Sequence, residues 1–294
     1  MTSDGDGRII RSTGGFYYVD TGSGIVACRA RGLFRKEGRK PVVGDYVCIE
    51  RTGDGGGYIE ELLPRKNVLI RPPLANLDTF VLVASIRDPA PNLLILDKLM
   101  AVACHKGISP MLVITKTDLA DPGALEEIYR LAGIPVLALS DKSPEGLTQL
   151  QDLLSHGVSA FSGNTGVGKS SLLSRIGGLA LETGETSRKL GRGRHTTRTV
   201  ELYPFRDGWI ADTPGFSSVE TQRYEWIRKE ELADAFPEFR PYLGRCQFTG
   251  CSHTVEKGCA VLAAMEQGKI HPSRHASYKV MYQEAKSIKE WEIK

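Results

Sequence analysis

The chain has 294 residues, of which 41% are hydrophobic and 25% charged, and its formal net charge is only +3. That is the make-up of a globular protein of about two domains, and nothing in the total charge demands a polyanionic partner. No apolar run approaches the roughly 20 residues of a membrane span, and the opening MTSDGDGR has no apolar core of the kind a signal peptide carries, so a cytoplasmic location is expected.

In chain order, residues 1–70 alternate short β-like runs with Gly-rich turns: 16–20 (FYYVD), 25–29 (IVACR), 45–50 (DYVCIE) and 58–62 (YIEEL), with a turn at 53–57. Short strands at such spacing predict a small barrel. After Arg71-Pro72-Pro73 the pattern changes. Residues 79–85 (TFVLVAS) form a continuous apolar run, as in a strand buried on both faces. Helix is then predicted at 93–104, strand at 111–115, helix at 124–132, strand at 135–139 and helix at 147–154. Strand 159–162, helix 170–176 and strands 200–205 and 209–212 follow. Alternating strands and helices imply an α/β domain with a parallel sheet. From about residue 221 the sequence reads as helical and charged, with a Cys/His cluster inside it.

Residues 163–170 read GNTGVGKS, matching G-x-x-x-x-G-K-[ST]. In such a loop the glycines (Gly163, Gly166, Gly168) let backbone N–H groups, including those of Asn164, Thr165 and Val167, curl round a β-phosphate. Lys169 reaches the β- and γ-oxygens, Ser170 ligates Mg²⁺, and Ser171 continues the helix whose N-terminus favours the anion. A chance Gly-rich turn is the competing reading, and the apolar strand before the motif and the helix after it argue against that. Asp212–Gly215 reads DTPG after the apolar 209–211. Asp212 at a strand end can hold Mg²⁺ through water, and Gly215 can offer its N–H to a γ-phosphate; alone, the same residues would be an ordinary turn. Thr115–Lys116–Thr117–Asp118 ends a buried strand. The Asp118 carboxylate can accept both N1–H and N2–H of guanine, a pair that adenine does not present. The Lys116 stem packs along the base. Ser140, after the next strand, is placed for the loop that touches guanine O6.

Cys246, Cys251, His253 and Cys259 make C-x(4)-C-x-H-x(5)-C, whereas Cys28, Cys48 and Cys104 are isolated. Three thiolates and one imidazole complete a tetrahedral Zn²⁺ with no open position, so a structural zinc is expected. His271 and His275 fall outside that set and are expected at the surface or against RNA. Two basic clusters stand out locally: Arg29, Arg31, Arg35, Lys36, Arg39 and Lys40, opposed only by Glu37, and Arg188, Lys189, Arg192, Arg194 and Arg198. Such runs are usually solvated faces. Here they flank a barrel and a nucleotide loop, which favours phosphate contacts.

The motifs stand in permuted order: TKTD and Ser140 precede GNTGVGKS, and DTPG comes last. With the Cys/His cluster, this resembles the circularly permuted GTPases of the RsgA family, also called YjeQ or YloQ, which are bacterial small-subunit ribosome biogenesis GTPases. The resemblance implies an OB-type β-barrel over 1–70, a circularly permuted GTPase domain over 71–222 and a helical zinc-binding domain over 223–294. It implies a cytoplasmic monomer that binds GTP and GDP with Mg²⁺ and one structural Zn²⁺. Its partners would be the 30S subunit and 16S rRNA, with no membrane, and hydrolysis would be stimulated by the subunit and coupled to release. Residues 192–197 (RGRHTT) resemble the family's switch I. Thr197 or Thr196 is then the residue sensing Mg²⁺ and γ-phosphate, and His195 a group that could position water. Thr115 stands where the family's base motif often has Asn. Phe216 stands where Ras-like enzymes reach a water-positioning Gln, which implies slow intrinsic hydrolysis. A nucleotide-gated RNA-binding module with incidental turnover is the alternative reading; an ATPase is opposed by Asp118.

Overall fold

The computed structural model describes residues 6–32, 34, 38–140, 145–177, 200–213 and 227–288. They fall into two compact units. The first comprises Met1–Thr79, Gln151–Ser162 and Ser170–Gly215; the second comprises Phe80–Leu150, Gly163–Lys169 and Phe216–Lys294.

In the first unit, β1 (Asp6–Thr13), β2 (Phe16–Asp20), β3 (Ile25–Ala30), β4 (Tyr46–Arg51) and β5 (Gly57–Leu62) pair in the order β1-β2-β3-β5-β4. A return pairing of β4 with β1 (Gly7 opposite Val47) closes the barrel, and β3–β5 is its parallel step. The closed five-stranded arrangement fits an OB-fold. Period-2 alternation buries Tyr17 and Val19, Val26 and Cys28, Val47 and Ile49, and Ile59 inside it. Gly44 shows why the sequence needs a glycine there: its φ is +90°, and a Cβ would lie 2.1 Å from the Ala75 carbonyl oxygen. A short hairpin follows, β6 (Val68–Ile70) with β7 (Pro73–Ala75).

The same unit holds β11 (His156–Gly163), β12 (Glu201–Phe205) and β13 (Asp207–Asp212). β11 and β13 are parallel, with Phe161 opposite Asp212, but β12 is antiparallel to β13. The wholly parallel sheet expected from alternation is corrected here. The single residue Arg206, at φ +49°, joins β12 to β13, and so tight a connection permits only an antiparallel pair. β12 also meets the barrel, Arg11 of β1 lying opposite Glu201.

In the second unit, β8 (Thr79–Ser85), β9 (Ser109–Thr115) and β10 (Val136–Ala138) stand in the order β10-β9-β8. They alternate with α1 (Leu93–His105), α2 (Gly123–Leu131) and α3 (Glu145–Leu153). All of β8 after Thr79 is buried, as a strand covered on both faces must be. The Asn92 side chain caps α1 by accepting from the Ile95 N–H. Beyond residue 227 the expectation of a helical segment holds only in part. Residues 227–259 contain two 3₁₀ turns (Ala233–Ala235 and Arg240–Tyr242) and otherwise irregular chain, because Pro237, Pro241, Gly244, Gly250 and Gly258 interrupt any helical run. α5 (Ala260–Glu266) and α6 (Pro272–Ser287) follow; earlier in the chain, α4 (Lys169–Gly177) opens at the end of the phosphate motif. No helix among the described residues is long and apolar enough to cross a membrane.

Candidate functional site

Gly163 ends β11 and is enclosed: a Cβ there would lie 2.4 Å from the Val83 carbonyl oxygen and 3.0 Å from Val167 Cγ2. Gly166 and Gly168 both adopt positive φ (+85° and +89°), the conformations that turn successive N–H groups inward. Between them Val167 is buried and anchors the loop, while Thr165 and Gly166 are exposed and Asn164, Gly168 and Lys169 half-buried. Lys169 is the first residue of α4, and Ser170 and Ser171 lie exposed in its first turn. This cradle fits a phosphate.

The TKTD loop is drawn onto the phosphate loop. The buried Thr115 hydroxyl donates to the Val167 carbonyl oxygen at 2.6 Å. Lys116 takes a left-handed φ of +58°, and its ammonium donates to the Asp88 carbonyl. The Leu139 N–H donates to the Ile114 carbonyl (2.7 Å) and the Thr117 N–H approaches the Leu139 carbonyl (3.4 Å), which brings the chain at Ser140 beside the loop. Asp118 is exposed. Thr115, Lys116, Thr117, Asp118, Ser140 and residues 163–169 thus converge within one unit. In the other unit Asp212 ends β13, and the next residue, Thr213, donates from its hydroxyl to the Phe161 carbonyl at 2.6 Å. Gly215, Phe216, His195, Thr196, Thr197 and the basic residues of 188–198 lie outside the described residues, as do Arg35, Lys36 and Glu37.

The four expected metal ligands do meet. Their donor atoms all lie within 4.8 Å of one another. His253 Nδ1 is 3.4 Å from Cys246 Sγ and 3.5 Å from Cys259 Sγ, and those sulfurs are 3.9 Å apart. A tetrahedral zinc with bonds of about 2.3 Å to sulfur and about 2.0–2.1 Å to nitrogen spaces its donors about 3.8 Å (S···S) and about 3.6 Å (S···N) apart. The cluster therefore fits zinc, through Nδ1 of the histidine. The loop is held by groups that the spacing of cysteines does not reveal. Glu256 accepts backbone N–H bonds from Ser252 (2.9 Å) and Thr254 (3.0 Å). Burial would raise its carboxyl, but the Ser252 hydroxyl and the backbone N–H groups of Ser252, Glu256 and Val255 hold it down at about 2.

His275 is corrected from the expectation of a surface or RNA-facing residue. It is buried, and its Nε2 contacts the His253 carbonyl at 2.8 Å, while the Tyr278 hydroxyl donates to the Ser252 carbonyl at 2.7 Å. α6 thus grips the metal loop from behind. His271 caps α6, its Nδ1 accepting from the Ser273 N–H at 3.2 Å.

α6 also carries Arg274, which sequence reasoning missed. It is 1% exposed, and its guanidinium donates to Asp97 of α1 (2.6 Å) and to Glu238 (2.7 Å), both equally buried. Burial alone would favour the neutral form, but Asp97 and Glu238 more than offset it and hold the proton firmly. On the barrel, Arg31 is paired with Glu50 and Glu60, and Arg29 stacks on Phe16 at 4.7 Å, whereas Arg39 and Lys40 are exposed.

A phosphate loop preceded in the chain by the loop it is tied to, with a barrel before and a Cys₃His cluster after, defines a circularly permuted P-loop GTPase. The profile of the RsgA GTPase family matches residues 62–222, and that of the RsgA N-terminal domain matches 6–59. The chain belongs to the RsgA GTPase family. A relative in Caldanaerobacter subterraneus, described as small ribosomal subunit biogenesis GTPase RsgA, is 43% identical over 285 residues, 95% of each chain. Among solved structures, YloQ, described as a circularly permuted GTPase, is 36% identical with a TM-score of 0.78 over 97% of this chain and 96% of its own. YjeQ from Thermotoga maritima is 32% identical with a TM-score of 0.79 over 97% and 99%.

Proposed function

We propose that this chain binds GTP with Mg²⁺ in the loops described and hydrolyses it while bound to the small ribosomal subunit, in the cytoplasm and as a monomer, assisting late maturation of that subunit. The observation that carries the nucleotide reading is the tie between Thr115 and Val167, which joins a guanine-reading loop to a phosphate cradle. The ribosomal role rests on the descriptions of relatives that match nearly end to end.

In this reading the N–H groups of residues 164–168 cradle the β-phosphate, Lys169 contacts the β- and γ-oxygens, and Asp118 reads N1–H and N2–H of guanine beside Ser140. Ser170, Thr197 and Asp212 would hold the metal, and Mg²⁺, when bound, would supply charge that offsets the negative charge developing on the phosphate oxygens. Gly215 offers its N–H to the γ-phosphate. Phe216 cannot hydrogen-bond water, so intrinsic turnover is slow. His195 orients water when small-subunit RNA contacts residues 188–198. The charges of Arg192 and Arg194 make an rRNA backbone the partner there, with Arg39 and Lys40 on the barrel adding phosphate contacts. Hydrolysis then releases the subunit.

Small subunits are accordingly expected to raise GTP turnover, and Arg192→Gln/Arg194→Gln to reduce that rise while sparing basal turnover. The rise should weaken with salt, because phosphate contacts release counterions. Turnover measured against subunit concentration at two ionic strengths checks this, with ATP as the control substrate. Stimulation of equal size in both proteins and at both ionic strengths removes residues 192–194 as the sensor. No stimulation at all favours the RNA-binding module with incidental turnover, for which Phe216 is the argument.

The Cys₃His centre holds a structural zinc in this reading. Freshly purified protein is expected to carry one zinc per chain. Its chelation should melt the region around Cys246–Cys259 while GDP binding persists, because metal-binding free energy is local folding free energy. Elemental analysis that finds no metal rejects this.

A further inference from the structure

Alternation along β1 breaks once, and the break aims two arginines at the strands beside the barrel. Arg8 lies opposite Asp20 and Ile9 opposite Val19, but it is Arg11, not Ile10, that lies opposite Tyr18. The extra residue makes a β-bulge. Ile9 and Ile10 are in consequence both buried, and Arg8 and Arg11, which an unbroken strand would place on opposite faces, share the outer one.

Both arginines meet the β12–β13 hairpin. The Arg11 guanidinium stacks on Tyr18 of the barrel at 4.0 Å and pairs with Glu201 of β12 at 3.7 Å. The Arg8 guanidinium stacks on Tyr46 of the barrel at 4.3 Å and lies 5.9 Å from the Trp209 ring of β13. The hairpin is paired along its length, from Glu201 opposite Asp212 to Phe205 opposite Gly208, and β13 is paired in turn with β11 from His156 to Phe161. β12 begins shortly after Thr197 and β13 ends on Asp212, two of the residues that hold the metal in the reading above.

The seam with the barrel is lighter. β1 and β12 are in register at Arg11 and Glu201. Their ion pair is 42% and 33% exposed, and exposed pairs are weak. A cation 5.9 Å from a ring stands at the limit of useful attraction. Nε of Arg8 and Nε of Arg11 are buried with no acceptor among the described residues, so each guanidinium leaves one bond unmade. A hairpin fixed firmly to β11 and lightly to β1 gives way at β1 when it is displaced.

We propose that the bulged segment of β1 is a nucleotide-responsive joint: Arg8 and Arg11 pass to the barrel the shift that GTP in place of GDP makes in the β12–β13 hairpin. By linkage, a ligand on the barrel then acts back on the nucleotide. The proposal rests on the nucleotide reading above.

Amide hydrogen exchange of the full chain tests it without any ribosome. The probes are GDP and the GTP analogue with an imido bridge between its β- and γ-phosphates. In the parent, exchange over residues 7–13 and 46–51 is expected to differ about fivefold or more between the two nucleotides, the lower end of ordinary coupling between sites. In Arg8→Gln/Arg11→Gln that difference should vanish, while the protection that both nucleotides give residues 163–170 stays. A parent barrel that exchanges alike with both nucleotides overturns the proposal. So does a double variant that keeps the parental difference, even if its barrel exchanges faster throughout, since that is lost stability without lost coupling. Should the double variant fail to fold, Arg11→Gln alone decides: a smaller difference supports the joint, and the parental difference overturns it. Residues 163–170 left unprotected by either nucleotide in the parent overturn the nucleotide reading itself, and the proposal with it.

Discussion

Lys169→Ala is expected to lower kcat/KM for GTP by roughly 10²–10³-fold, the loss that follows removal of one preorganised donor from a developing oxyanion. The lysine opens α4, and in the proposed reading its ammonium and the helix N-terminus act on the same phosphate oxygens. Its own side chain is half-exposed, and alanine is the better helix former, so the fold should not notice the change. The melting temperature should therefore stay within the scatter of the measurement while turnover falls. Steady-state kinetics and a thermal melt on the same preparation check both halves. Parental affinity and turnover in this variant would mean that residues 163–170 do not hold the nucleotide.

The second large effect is expected from Arg274→Met. Arg274, Asp97 and Glu238 form one buried ionic cluster, with exposures of 0–2% and with the Tyr129 and Phe236 rings 5.7 Å and 4.7 Å from the guanidinium. Removing the cation strands two carboxylates in a place where water cannot reach them. Breaking such a cluster costs about 3–5 kcal/mol, and at about 2–4 °C per kcal/mol for a domain of this size the melting temperature should fall by roughly 6–20 °C. The triple change Arg274→Met/Asp97→Asn/Glu238→Gln removes charge on both sides and should recover part of that loss, because much of the penalty belongs to unpaired charge rather than to a missing bond. A thermal melt of the three proteins decides it; a single variant as stable as the parent would show that the cluster contributes nothing to holding α6 on α1.

These two sites differ in how far the sequence revealed them. GNTGVGKS and the four metal ligands are legible because each function is served by a contiguous stretch: a phosphate must be wrapped by consecutive N–H groups, and a zinc loop must close on itself within a few residues. The barrel strands were legible from period-2 alternation, but β1, whose Asp6–Thr13 mixes glycine and charge among its apolar residues, gave no such signal. Arg274, Asp97 and Glu238 were invisible for a different reason. They are separated by up to 177 positions, and a lone arginine in a polar helix reads as surface. His275 read as surface for the same cause, and only packing shows that it holds the His253 carbonyl. The base-reading loop lies between these cases. Asp118 was expected from spacing, while the partner of Thr115 became evident only when residue 167 was found beside it.

α6 faces two ways within a few residues. Arg274 and Glu284 reach Asp97 and Lys98 of α1, while His275 and Tyr278 reach the carbonyls of 253 and 252. The helix is therefore a key cut on two edges. A single-residue insertion or deletion between 275 and 278 would turn Tyr278 and Glu284 by about 100° relative to Arg274 and His275, and no rotation of the rod could then restore all four contacts at once. Point changes along its exposed side, at Lys279 or Val280 for instance, leave both edges in place. Sequence drift in this helix is thus tolerant of substitution and intolerant of length, a restriction that neither the nucleotide loops nor the zinc ligands impose by themselves.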